Sequence, residues 1–147
     1  MTKTNSLLLL NIFCFLNLTG CTTTESKIEP FKITDQVAFY YKAQDDTELL
    51  GNIFFTSVYT SYRKPQTLII KNKKKLIYQS KYETVMFDCL KKVFSAPDTI
   101  YYADNNVRGH IVYSTAIAPP EMQWLPIDLD PIYRKLFEKL AGICSDG

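Results

Sequence analysis

Asp130-Pro131-Ile132-Tyr133-Arg134-Lys135-Leu136-Phe137-Glu138-Lys139-Leu140-Ala141-Gly142-Ile143-Cys144 is the stretch whose reading decides the fold. Asp130 is suited to cap a helix, and Pro131 fits the first helical position, where no backbone donor is needed. Ile132, Tyr133, Leu136, Phe137 and Leu140 then share one stripe at helical spacing, with Arg134, Lys135, Glu138 and Lys139 opposite. Gly142 is expected to stop the helix. The stripe must lie on something apolar. With ten Tyr, nine Phe and only five Gly, the composition favours β-strands for that surface.

Working outward, Gln36–Lys42 reads as a first strand and Gln44-Asp45-Asp46-Thr47 as a polar loop. Gly51–Tyr62 is β-branched and aromatic, and Arg63-Lys64-Pro65 is expected to end it. Thr67–Ile70 and Leu76–Gln79 flank Lys71-Asn72-Lys73-Lys74-Lys75, the pattern of a β-hairpin with a basic turn. Tyr82–Val93, which contains Cys89, reads as a further strand. Thr99–Ala103 and Gly109–Ile117 form a second hairpin around Asp104-Asn105-Asn106. In its return strand Ile111, Tyr113, Thr115 and Ile117 share one face and His110, Val112, Ser114 and Ala116 the other. Both faces are partly apolar, which predicts a place in the middle of the sheet. Ala118-Pro119-Pro120 breaks the pattern. The expected class is α+β: an antiparallel sheet of about six strands with the C-terminal helix packed on one face.

At the other end of the chain, Met1–Asn5 carries one positive charge, Lys3, and Leu7–Leu18 is an apolar run interrupted by Asn11 and Asn17. That run has the length of a secretory h-region and falls short of the ~20 residues a spanning helix needs. Leu18-Thr19-Gly20-Cys21 closes it and resembles the lipobox of bacterial lipoproteins. The resemblance implies a diacylglyceryl group on Cys21 and cleavage before it. Acyl burial at ~0.8 kcal/mol per methylene makes two or more chains a stable anchor. Thr22, where inner-membrane lipoproteins carry Asp, implies sorting to the outer membrane. Residues 1–20 are thus read as a signal peptide and 21–30 as a lipidated tether, able to span about 30 Å when extended. Residues 31–147 are read as one domain.

Cysteine use follows from this placement. Cys14 leaves with the signal and Cys21 carries lipid, so Cys89 and Cys144 remain for an oxidised compartment, and a disulfide between them is expected. Metal ligation would need two more ligands, and a redox pair is more often Cys-x-x-Cys. The bridge would staple the helix to the Cys89 strand.

Charge and motif content exclude several functions. Without Lys3 the chain holds 16 basic and 15 acidic residues, which lacks the basic excess of a nucleic-acid binder. The single histidine, His110, sits on a strand with no His-Glu-x-x-His or Cys-x-x-Cys beside it, so no metal or cofactor is expected. No Gly-x-Ser-x-Gly elbow or Gly-rich phosphate loop is present. Asp45-Asp46 reads as loop, and Asp128 and Asp130 as helix entry, so no catalytic residue is assigned and the chain is read as a non-enzyme. Lys71, Lys73, Lys74 and Lys75 form the one local charge concentration, a solvated tip or a contact for an anion: a sulfated glycan, an acidic host protein or phospholipid headgroups. Exposed tyrosines such as Tyr59, Tyr62, Tyr101 or Tyr102 would add contact area.

The second half of the chain resembles the surface-adhesin protein E family, small lipoproteins of Gram-negative bacteria. Ser80-Lys81 ahead of Asp88-Cys89, Tyr102-x-Asp104, Gly109-x-Ile111-Val112, Trp124, the helix and Ile143-Cys144 carry the likeness. Trp124-Leu125-Pro126-Ile127-Asp128-Leu129-Asp130 departs from the Pro-x-Ser often found there. The resemblance implies an antiparallel sheet, a C-terminal helix tied by a disulfide, and binding to host epithelium and matrix or serum proteins. It carries over no binding residue. The expected function is therefore an outer-membrane-anchored surface adhesin. The alternative is a periplasm-facing envelope accessory or inhibitor of a lysozyme-type enzyme.

Overall fold

The computed structural model describes residues 27–42 and 51–145. The signal segment, Cys21, residues 22–26 of the expected tether and the Gln44–Thr47 loop lie outside the described residues. The chain forms an antiparallel meander in which spatial order equals sequence order: β1 (Ile28–Ile33), β2 (Val37–Lys42), β3 (Ile53–Ile69), β4 (Lys75–Asp88), β5 (Val93–Asp104) and β6 (Arg108–Ala116). A two-residue β7 (Leu125–Pro126) pairs with Val93 and Phe94 at the start of β5. One helix, α1 (Pro131–Leu140), follows. The expected sheet-plus-helix arrangement is what forms. Most of the described residues are strand, so α+β describes it only loosely.

The sequence stripe explains the helix. The Asp130 carboxylate accepts the backbone N–H of Ile132 at 2.7 Å and of Tyr133 at 3.3 Å, with Pro131 at the first position. Leu136 is fully buried against Phe54, Val58, Val85, Phe87 and Phe94, and Ile132, Tyr133, Phe137 and Leu140 pack around it. The Phe87 ring lies 5.1 Å from Phe54 and 5.6 Å from Phe137, and the Phe94 ring 4.4 Å from Tyr133. Gly142 does not end the chain's helical course. After Leu140 a 3-10 turn, Ala141–Ser145, carries Cys144 to Cys89, where the disulfide forms across a Cα–Cα distance of 5.6 Å.

Several expected boundaries move. Arg63-Lys64-Pro65 does not end β3; the register shifts between Ser61 and Gln66 and the strand continues to Ile69. The segments Leu76–Gln79 and Tyr82–Val93 are not two strands. One strand, β4, runs to Asp88, and the chain reverses there because the Asp88 carboxylate accepts the N–H of Leu90 at 3.0 Å and of Lys91 at 2.9 Å. Cys89 therefore sits on a turn. β5 starts at Val93, six residues ahead of the expected Thr99. β6 is an edge strand, not a central one; Ile111, on one of its two partly apolar faces, is 56% exposed. β1 begins at Ile28, so the last three residues read as tether are in the sheet.

The strand prolines account for much of this. Pro30, Pro65 and Pro97 each fall at a register irregularity, where a missing N–H breaks no ladder bond. The β5–β6 turn is tied back to the sheet: Ser80 Oγ donates to the Asp104 carbonyl and accepts the Val107 N–H, while Ser61 Oγ accepts the Asn106 N–H. Gly109 is required there, since at φ +78° a Cβ would fall 2.5 Å from the Asp104 carboxylate.

Three stability outcomes follow. Leu136→Ala should lower unfolding free energy by about 3 kcal/mol in a urea titration, because it opens a cavity beneath α1. Cys144→Ser should cost roughly 4 kcal/mol, given the 55-residue separation it closes; mass spectrometry of the native protein should find neither Cys89 nor Cys144 as a free thiol. Thr60 Oγ1 is buried without a hydrogen-bond partner among the described residues. Thr60→Val should therefore leave stability unchanged or raise it by about 1 kcal/mol.

Candidate binding surface

Beyond Arg63 the two longest strands leave the sheet. Pairing of β3 with β2 stops at Tyr62, opposite Val37, and pairing of β4 with β5 stops at Ser80, opposite Tyr102. The chain from Lys64 to Gln79 pairs only with itself, Gln66 facing Tyr78, Thr67 facing Ile77, Leu68 facing Leu76 and Ile69 facing Lys75. It forms a projecting two-stranded arm. Gln79 braces its base by donating to the Tyr62 and Arg63 carbonyls at 3.3 and 3.2 Å.

The predicted lysines sit at the tip of this arm. Lys71–Lys73 form a 3-10 turn with Asn72 at φ 71°, and Lys71, Lys73, Lys74 and Lys75 are all exposed. With Arg63 and Lys64 they make six cations, and no Asp or Glu occurs between Tyr62 and Ser80. The rest of the chain then holds 11 basic against 15 acidic residues. The basic turn expected from sequence is thus the end of a wholly cationic lever on an acidic body.

The tyrosines divide by face. Tyr62 of β3, Tyr78 of β4, Tyr101 of β5 and Tyr113 of β6 form one continuous row, with ring centroids 5.7, 4.9 and 6.2 Å apart in that order. The row lies on the face that carries α1, beyond the helix N-terminus, and all four rings are half-buried. Tyr59 and Tyr102 go to the reverse face, where Tyr59 packs on Tyr82 at 5.2 Å. A groove of about 240 Å³ on that side is lined by Ile28, Tyr40, Tyr59, Ser61, Asn106 and Val107. Of the four sequence candidates, Tyr62 and Tyr101 share the row, while Tyr59 and Tyr102 share the reverse face. Tyr78 and Tyr113 were not singled out, because only the register across four strands brings them into line.

Beside the row, on the same face, lies a largely buried ion pair, Lys81 Nζ to Glu83 Oε1 at 2.8 Å, with side chains 20% and 8% exposed. Tyr62, Glu83, Tyr133 and Asp130 line a pocket of about 200 Å³ at the start of α1. Burial, reinforced by the Glu83 carboxylate, pushes the Tyr133 hydroxyl far above its ordinary range. Burial also raises Tyr62 and Tyr101, and with help from Tyr62 it raises Tyr78 to about 12. Tyr62, Tyr78 and Tyr101 therefore present neutral hydroxyls, and cross-strand ring contacts hold the row in place. His110 lies exposed on β6, Asp130 is the helix cap, and no three His, Cys, Asp or Glu among the described residues are placed to hold a metal ion.

The folded state favours the neutral phenols. That stabilisation is complete below pH 10, the ordinary value, and disappears as pH rises toward about 12. Tyrosinate absorbance should show Tyr78 ionising late, and the urea midpoint should be lower at about pH 11 than at about pH 9.

The family model of surface-adhesin protein E matches residues 28–144. No curated protein and no solved structure matches the chain.

Proposed function

Because the chain belongs to the surface-adhesin protein E family, we propose that it is an outer-membrane lipoprotein displaying a small non-enzymatic domain that binds host matrix or serum proteins. The family supports the adhesin reading and a cell-surface location. The observation that carries binding is the tyrosine row on the half of the sheet face that α1 leaves open. Tyrosine gives large contact area at low rotamer cost and offers a hydroxyl at its tip, which is why it is enriched in protein interfaces. Four rings held by cross-strand contacts lose little further freedom on binding.

Lipidation at Cys21 supplies the anchor in this reading, and residues 22–27 supply the tether before β1. The signal at residues 1–20 is removed. Lys71, Lys73, Lys74 and Lys75 are the anion-contacting part of the domain. Neither nucleic acid nor a cofactor has a role.

Protease treatment of intact cells should remove the protein while a periplasmic control survives. Full protection would instead favour an envelope accessory or enzyme inhibitor facing the periplasm. Cys21→Ser should shift the protein out of membranes washed at high salt, which an acyl anchor withstands. Tyr78→Ala and Tyr113→Ala should each weaken attachment of cells to surfaces coated with matrix proteins by about tenfold. Attachment that is unchanged in both variants would remove the row from the binding face.

A further inference from the structure

We infer that the β3–β4 arm is a membrane-contacting element whose partner is the acidic lipid surface of a bilayer. Two features of the arm coincide. The first is charge: Arg63, Lys64, Lys71, Lys73, Lys74 and Lys75, uninterrupted by any carboxylate from Tyr62 to Ser80. Each such cation near an anionic bilayer contributes attraction that fades within a Debye length. The second is apolar exposure. Ile69 is 65% and Ile77 55% exposed, and their register, Ile69 facing Lys75 and Thr67 facing Ile77, puts both on one side of the arm.

A sulfated glycan would satisfy the lysines and leave both isoleucines in water. An acidic lipid surface satisfies both sets, with the ammonium groups at the headgroup phosphates and the isoleucines at the acyl boundary. The arm's shape suits the task, since from Lys64 to Gln79 it pairs with no other strand and is free to meet a flat surface by its tip. The sheet pays nothing for this contact in buried core: Leu68, Leu76 and Tyr78 turn to the arm's other side.

This inference rests on the anchored-lipoprotein reading only for the presence of a membrane beside the domain. Its test therefore uses the unlipidated chain after residue 20 with Cys21→Ser, and vesicles of phosphatidylglycerol mixed with phosphatidylethanolamine against vesicles of phosphatidylcholine. Sedimentation with the acidic vesicles is expected, falling with salt, and none with the neutral ones. Lys71→Gln, Lys73→Gln, Lys74→Gln and Lys75→Gln combined should weaken binding about a hundredfold. Ile69→Ser with Ile77→Ser should weaken it roughly tenfold. Retention of the Cys89–Cys144 disulfide and an unchanged strand spectrum show that each variant folds.

Equal binding to both vesicle types, or none to either, overturns the inference. Loss in the lysine variant with none in the isoleucine variant also overturns it, and assigns the arm to a soluble polyanion. Failure of the anchoring reading is separately visible, because native protein would then leave the membrane fraction of cells in a high-salt wash, which screens the arm's charges and leaves an acyl anchor in place.

Discussion

The helix is too short for its sheet, and that mismatch shapes the molecule. Ten residues of α1 reach about 15 Å, whereas the 14 residues of β4 reach roughly 46 Å. Leu136 and its neighbours can seal only the part of the face built from Phe54, Val85, Phe87 and Phe94. The remaining length must be acceptable to water while still holding strands together. Tyrosine, threonine and the Lys81–Glu83 pair meet both demands. The proposed binding surface is, physically, the portion of the sheet that the helix cannot reach.

The helix was legible because every signal for it is local. Cap, proline and stripe lie within one window, and the partner of Cys144 followed from counting. Strand ends were not legible, because proline carries two meanings. At Pro65 it reads as a stop, yet at a bulge the missing N–H costs nothing and β3 runs on. Asp88 hides its role in the opposite way: its carboxylate builds a tight turn, but with no Gly or Pro beside it the segment has the pattern of an uninterrupted strand. The edge position of β6 was hidden for another reason. Two partly apolar faces suggested a central strand, but at this edge Ile111 is simply exposed.

The candidate surface was legible in the same partial way. Four lysines adjacent in sequence are adjacent in space, and needed no fold to be noticed. That they tip a free arm depends on where β2 and β5 stop pairing, a long-range property. The tyrosine row is longer-range still. Its members come from four strands spread over the chain from Tyr62 to Tyr113, and a slip of one residue in any strand would send its ring to the reverse face.

The meander order also governs how the chain comes to be built. Each of β2 to β6 pairs with the strand just before it, and only the two-residue β7 reaches back past β6 to β5, so a polypeptide delivered from its N-terminus can close one hairpin after another without waiting for distant segments. The helix and Cys144 arrive last, with Cys89 held ready on its turn 55 residues earlier. Until then the apolar patch around Phe54 and Phe87 has no lid. The disulfide thus acts as a completion mark for the domain: it can close only once α1 and Cys144 have been delivered, and that same segment is what covers the patch.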